Sequence, residues 1–247
     1  MMSQDFPYVI NGVSEEDIAA LIFVSMAHFD TLTLLRCRAV SKDWKVAIDS
    51  YTTLWSRMLL RRAVRHNRAD ICKLIVNYGN DKNPKDKVVG LTPLHFAAQY
   101  GYLRICKMII DRIIDKNPGN FDGTTPLHLA AREGHTDICL LIIDQVDAKN
   151  PGSQSGSTPL HLAARYGHKD ICRLIIDRVN DLNPVGPVGI TPLHLAAQYG
   201  HIDICKLIIE RVAEKNPADN DGITPMDLAE MNGYRDICGL IRSAIGQ

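Results

Sequence analysis

A Thr-Pro pair falls at Thr92, Thr125, Thr158, Thr191 and Thr224, 33 residues apart each time. A fixed period of this length marks a stack of like units, each burying its apolar face against its neighbours. An Ile-Cys pair recurs in step at Ile71, Ile105, Ile138, Ile171, Ile204 and Ile237, and an Asn-Pro pair at Asn83, Asn117, Asn150, Asn183 and Asn216. The Ile-Cys series exposes one more unit, Arg57 to Pro84, which has no Thr-Pro-Leu-His and is offset by 34 residues. The extra residue falls within Lys85-Asp86-Lys87-Val88-Val89-Gly90.

The unit running from Gly123 to Cys139 shows what each residue type does. Thr125 caps a helix by accepting a backbone N–H, and Pro126 suits the first helical position, where a missing donor costs nothing. Leu127, Leu129, Ala130 and Ala131 form the apolar stripe, the alanines being narrow enough for a neighbouring helix to approach closely. Gly134 ends this helix in a conformation that glycine adopts at least cost. Asp137 then lies in the first turn of a second helix, at the positive end of the macrodipole, and Ile138, Leu141, Ile142 and Val146 mark its buried face. Asp70, Asp170, Asp203 and Asp236 repeat that placement. Asn150-Pro151 to Gly156 is a hairpin-like, turn-rich connection to the next Thr-Pro.

With Thr-Pro-Leu-His-Leu-Ala-Ala, Gly-His and paired helices in a 33-residue period, the stretch from Arg57 to Gln247 resembles the ankyrin repeat. The resemblance implies an all-α solenoid of about six units with short hairpin loops. Residues 57–84 would be a degenerate first unit, 85–218 orthodox repeats and 219–247 a C-terminal capping repeat, where Met226-Asp227 replaces Leu-His. Arg178-Val179 and Arg211-Val212 stand where the family usually has Gly-Ala after the second helix.

The 247 residues carry no net charge, which argues against a general polyanion binder. Residues 1–56 hold 4 basic and 7 acidic side chains and the rest 24 and 21, so neither part is strongly polarised. Ala19 to Ala27, the longest apolar run, is far short of the roughly 18–20 residues that span a bilayer, and no basic residue precedes it as in a signal peptide. The expectation is a soluble monomer of the cytoplasm or nucleus. Six of the 7 cysteines are locked to the repeat. Equivalent helices in a stack lie about 8–10 Å apart, too far for a disulfide or for four zinc ligands on one ion, so these are read as buried free thiols.

Residues 1–12 lack periodicity and read as a mobile tail. From Ser14 the pattern changes: Ser14-Glu15-Glu16-Asp17 starts a helix with Ile18, Leu21, Ile22 and Met26 on one stripe, Thr31 opens a second, and Ser41 to Asp49 makes a third with Trp44 and Ile48 on one face. Three short helices are too small to be very stable alone and should lean on a partner or on the first repeat. Leu34-Leu35-Arg36-Cys37-Arg38-Ala39-Val40-Ser41-Lys42-Asp43-Trp44, followed by Ile48-Asp49-Ser50 and Leu54-Trp55, is similar to an F-box, placed at residues 13–56. That resemblance implies docking on the Skp adaptor of a cullin–RING ubiquitin ligase through Ile18, Leu21, Ile22, Leu34, Leu35, Val40 and Trp44, with a protein substrate held by the repeats. The other reading is a stand-alone ankyrin scaffold or inhibitor whose N-terminal helices cap the stack.

Within each unit the residues not committed to neighbours are the hairpin tips and the pair between Ala-Ala and Gly. Those pairs read Gln99-Tyr100, Arg132-Glu133, Arg165-Tyr166, Gln198-Tyr199 and Met231-Asn232. Family resemblance puts this ridge and the tips, including Val88, Phe121, Gln154, Val188 and Asn220, on a concave recognition face. Tyrosine offers a large amphipathic contact at low entropic cost, which makes Tyr100, Tyr166 and Tyr199 the expected anchors, with Arg132, Arg165, Phe121 and Val188 beside them.

His95, His128, His161 and His194 share one position, and His135, His168 and His201 another. Repetition of one histidine at every unit points to a structural hydrogen bond linking its own threonine to adjoining backbone, not to several active sites. No nucleophile–base pair, paired-carboxylate cleft or glycine-rich phosphate loop is evident, so no enzymatic activity, cofactor or metal is expected. Arg57, Arg61, Arg65 and Arg68, with Arg62 nearby, form a basic stripe with no aromatic interleaving. It reads as a solvated or acid-paired helix face, with no nucleic-acid partner.

Overall fold

A computed structural model describes residues 55–78 and 81–246. Among them twelve α-helices fall into six antiparallel pairs: α1 (Trp55–Arg65) with α2 (Ala69–Tyr78), α3 (Pro93–Gln99) with α4 (Leu103–Ile110), α5 (Pro126–Glu133) with α6 (Thr136–Ile143), α7 (Pro159–Tyr166) with α8 (Lys169–Ile176), α9 (Pro192–Gln198) with α10 (Ile202–Ile209), and α11 (Pro225–Met231) with α12 (Arg235–Ile245). A 3-10 turn, Pro187–Gly189, precedes α9, and no strand occurs among the described residues. The tail expected at 1–12 and the F-box expected at 13–56 lie outside the described residues, apart from Trp55 and Ser56, which open α1.

The first helix of each unit starts as its sequence demands. Thr125 holds extended backbone (φ −108°, ψ 165°), Pro126 follows at the first helical position, and the threonine side chain and the histidine three residues on bond reciprocally to each other's backbone N–H. The same box recurs at Thr92, Thr158 and Thr191, and at Thr224 with Asp227 in the histidine's place. After α5 and α7 the chain turns on Gly134 (φ 83°) and Gly167 (φ 80°). In the first pair Asn67 occupies that turn with φ 52°, a left-handed conformation that asparagine tolerates better than most residues.

Successive first helices pack on one another from α1 through to α11, and successive second helices from α2 through to α12. Alanines line the first-helix seam (Ala97, Ala98, Ala130, Ala131, Ala163, Ala164, Ala196 and Ala197 are all fully buried), so these helices lie in more extensive contact than the second helices do. The stack therefore closes on the first-helix side, which becomes its inner face. Leu94, Leu127, Leu160 and Leu193, with Ile109, Ile142, Ile175 and Ile208, run through it as one continuous fully buried core. Leu141 and Val146, expected on the buried face, are partly exposed at its margin.

Between units the chain makes tight hairpin turns. Four close between residues four apart: Asn120 N to Thr124 O (2.8 Å), Ser153 to Ser157 (2.8 Å), Gly186 to Ile190 (2.8 Å) and Asp219 to Ile223 (2.9 Å). The first closes between Asp86 N and Leu91 O (2.9 Å), five apart, so the residue that stretches the period to 34 sits in this tip. Asn83, Asn117, Asn150, Asn183 and Asn216 each accept, through Oδ1, the N–H of the second residue of the following first helix at 2.9–3.0 Å, which accounts for the recurring asparagine. Where the family usually places Gly-Ala, Arg178 and Arg211 reach back to the carbonyls of Leu174 (3.2 Å) and Leu207 (3.1 Å). Lys116, Lys149 and Lys215 cap the last carbonyls of α4, α6 and α10.

Candidate protein-binding face

Two histidine ladders hold the surface in place. In the first, His95 Nδ1 accepts from Thr92 N (3.1 Å), and its Nε2 donates to the Thr124 carbonyl of the next unit (2.9 Å). His128, His161 and His194 repeat this onto the carbonyls of Ser157 (3.0 Å), Ile190 (3.0 Å) and Ile223 (3.1 Å). A carbonyl can only accept and the threonine N–H can only donate, so the ring is neutral with its proton on Nε2. Burial drives His95 and His128 down to about 4, against which the bond to the next unit's carbonyl pulls upward; His161 and His194 are lowered for the same reason. At the last pair Asp227 accepts from Thr224 N (2.9 Å) and Oγ1 (2.6 Å), and as an acceptor it carries the ladder no further. Thr224 sets this carboxyl below its usual range through that hydroxyl and its own N–H.

The second ladder runs backwards and fixes the ridge. His135, His168 and His201 donate from Nε2 to the carbonyls of Gln99 (3.1 Å), Arg132 (2.9 Å) and Arg165 (3.1 Å). Each ring lies over the turn glycine of the preceding unit, so closely that a methyl group at Gly167 would meet His201 Cε1 at 2.7 Å. Tyr100, Arg132, Arg165 and Tyr166 thus project from backbone that the next unit holds still, whereas beside Tyr199 the histidine's place is taken by Tyr234, whose ring lies over Gly200. Tyr100, Tyr166 and Tyr199 are 44%, 48% and 40% exposed at the ends of α3, α7 and α9. Arg165 stacks over the rings of Tyr199 (5.3 Å from its centroid) and Tyr166 (5.8 Å). Arg132 is instead paired with its neighbour Glu133 (2.7 Å), and Tyr100 leans on Tyr102, with ring centroids 5.7 Å apart.

The hairpin tips form a second row, linked through the main chain: Phe121 N to Val89 O (3.0 Å), Gln154 N to Asp122 O (2.9 Å) and Asn220 N to Val188 O (3.1 Å), with Gln154 Nε2 on Phe121 O (2.8 Å). Phe121 and Val188 are 51% and 64% exposed. Val188 has a φ of 53°, a conformation unfavourable by about 1–2 kcal/mol for a side-chain-bearing residue. The structure therefore brings Tyr100, Arg132, Arg165, Tyr166 and Tyr199 into one ridge and Phe121 and Val188 into the row of tips. Ile18, Leu21, Ile22, Leu34, Leu35, Val40 and Trp44 lie outside the described residues.

One feature of the face departs from the sequence reading. The basic stripe of α1 does have an aromatic partner: Phe96 of the next unit lies under Arg61 (4.7 Å to the ring centroid) and Arg65 (5.1 Å). The partner is thirty or more residues away along the chain, and the visible signal was a substitution, Phe96 standing where later units have Leu129, Leu162 and Leu195. Arg61 holds the place of His95 in the first pair, and its buried Nε has no hydrogen-bond partner. Arg68, also in the stripe, pairs with Asp70 (2.8 Å). The repeat cysteines are buried free thiols, and burial pushes Cys72, Cys106, Cys139 and Cys205 up to about 12, far from a reactive thiolate.

Helix pairs in series over one uninterrupted core define a helical-repeat solenoid with an exposed, pinned ridge. The family model for ankyrin repeats in three copies matches residues 21–120, 60–150, 113–185 and 178–246, and the chain belongs to the ankyrin-repeat family. Ankyrin repeats imply protein binding. The chain is similar to protein phosphatase 1 regulatory subunit 27 of Mus musculus and of Homo sapiens, in each case 38% identical over 64 residues. The matched part is 26% of this chain and spans 41% of the relatives' length. Among the described residues no helix is long and apolar enough to cross a membrane.

Proposed function

We propose that the chain is a protein-capturing receptor with no chemistry of its own, and that residues 13–56 deliver the captured protein to the Skp adaptor of a cullin–RING ubiquitin ligase. The observation that carries the capture half is the tyrosine ridge: Tyr100, Tyr166 and Tyr199 are half-exposed in three of the units, the first two beside carbonyls held by the histidines of the next unit and the third beside Gly200, over which the Tyr234 ring lies. A preorganised aromatic row loses little entropy on binding. Strain at the exposed Val188 tip accords with a contact surface there. Both ring nitrogens of each first-ladder histidine are committed, which leaves them structural.

The delivery half rests on the Leu34–Trp55 segment and its likeness to an F-box. Such a receptor works by proximity, raising the effective concentration of substrate lysines beside enzymes carried by other subunits. Binding of the purified chain to the Skp adaptor, with and without Leu35→Ala and Trp44→Ala, tests it. Binding abolished in a still-folded double variant is the expected result; an intact chain that does not bind refutes delivery and leaves the repeats as a scaffold or inhibitor. The likeness to a phosphatase regulatory subunit favours that second reading, and retention of a protein phosphatase 1 catalytic subunit by the repeats would support it.

A further inference from the structure

We infer that the ridge takes an acidic, extended protein segment, an inference that rests on the capture half of the proposed function and narrows it to a class of partner. The ridge positions read, unit by unit, Arg65-His66, Gln99-Tyr100, Arg132-Glu133, Arg165-Tyr166, Gln198-Tyr199 and Met231-Asn232. Three arginines and one glutamate thus stand along one line of a chain whose net charge is zero.

The state of those arginines is the informative part. Arg65 is stacked over Phe96 and Arg165 over Tyr199 and Tyr166, and among the described residues neither side chain makes a hydrogen bond or an ion pair. A guanidinium lying on a ring keeps its N–H donors, which point outward in its own plane, for a planar anion, and the stacking fixes its position beforehand. Arg132 is occupied by Glu133, but an exposed pair of this kind is weak enough to open for a better carboxylate. The two outermost tips differ in charge as well: the first holds Lys85, Asp86 and Lys87, with Lys85 Nζ on the Gly119 carbonyl (2.7 Å), and the last holds Asp219 and Asp221, while Asp122 stands at the second. Of the acidic column at the start of the second helices, Asp70 and Asp203 are engaged by Arg68 and Lys169. The acidic stretch of the partner therefore lies over the first four units, and its apolar residues meet the tyrosines.

Arg65 and Arg165 are three repeat steps apart, roughly 27 Å at about 9 Å a step, which an extended strand covers in roughly eight residues; Arg132 and Arg165, one step apart, match carboxylates roughly three residues apart. A nucleic acid fits less well, because the acidic tips at the far end of the same face would repel a continuous polyanion.

The test is selection from a display library of random peptides about 12 residues long on the full chain, followed by affinity measurement. Enrichment of Asp and Glu is expected, together with at least a roughly tenfold loss of affinity for the selected peptides in the Arg65→Gln, Arg165→Gln double variant and no loss in Arg173→Gln on a second helix. Raising NaCl from about 50 to about 500 mM on the unaltered chain should weaken binding to a similar degree, a reading independent of how the variants fold. Selection of neutral or basic peptides overturns the acidic class and leaves protein capture standing. Selection of nothing overturns both. Tighter binding of a single-stranded DNA of about 20 nucleotides than of any selected peptide also overturns the inference.

Discussion

The first helix pair and the four that follow share one backbone plan, yet they use its key positions for different purposes. In the later units a histidine at the third position of the first helix joins its own threonine to the carbonyl of the next unit, and in the first pair the corresponding residue is Arg61, with an unbonded Nε against Phe96. The turn glycine of the later units is Asn67 in the first, still left-handed. Interior units spend these positions on holding one another. The terminal unit keeps the geometry and leaves cations on its face. A ladder made of neutral, buried histidines should thus govern stability, while the first pair and the ridge should govern recognition.

Acid breaks the comparison most severely. His95 and His128 fall to about 4 in the folded chain against about 6.5 in the unfolded one, so below pH 6.5 the unfolded state takes up protons that the folded state refuses. Stability should be full above about pH 6.5, fall progressively as the pH drops to about 4, and cease to depend on these groups below that. Each contributes on the order of 3 kcal/mol across the window. Urea unfolding as a function of pH measures this. Next comes His161→Ala, which removes bonds at both ring nitrogens and leaves the Thr158 N–H and the Ile190 carbonyl without them, at a cost of about 3 kcal/mol in equilibrium unfolding. The converse change, Arg61→His, should stabilise by at most about 1 kcal/mol, because Met58 stands where the threonine partner would be.

Gly167→Ala should cost about 2 kcal/mol, since φ is 80° and the new methyl would press on the His201 ring. Asn67→Gly, at the matching place in the first pair, should change the unfolding free energy by no more than about 0.5 kcal/mol. A cost as large at Asn67 as at Gly167 would show the two turns to be unlike after all.

What the sequence made legible was whatever repeats. The Thr-Pro start, the glycine turn, the Ile-Cys core and the structural histidine could be read because four to six copies vote for one physical role, and the 34-residue offset located the longer Asp86–Leu91 tip. Side-chain contacts between units were not legible. Phe96 meets Arg61 and Arg65 only once the units stack, and nothing in a period announces that His135 bonds backwards to Gln99 rather than within its own unit. The lysine caps at Lys116, Lys149 and Lys215 escaped for a related reason: Leu182 interrupts their column. The residues for adaptor binding carry a motif but no period, and they lie outside the described residues.

The most direct test of the account is to compare the partners retained from a cell extract by the intact chain and by the Tyr100→Ala, Tyr166→Ala, Tyr199→Ala triple variant, with urea unfolding of both. The account predicts an unfolding free energy within about 1 kcal/mol of the original, because the three rings are half-exposed, and loss of the captured proteins by at least roughly tenfold. A triple variant that unfolds normally and retains the same proteins at the same level would contradict it.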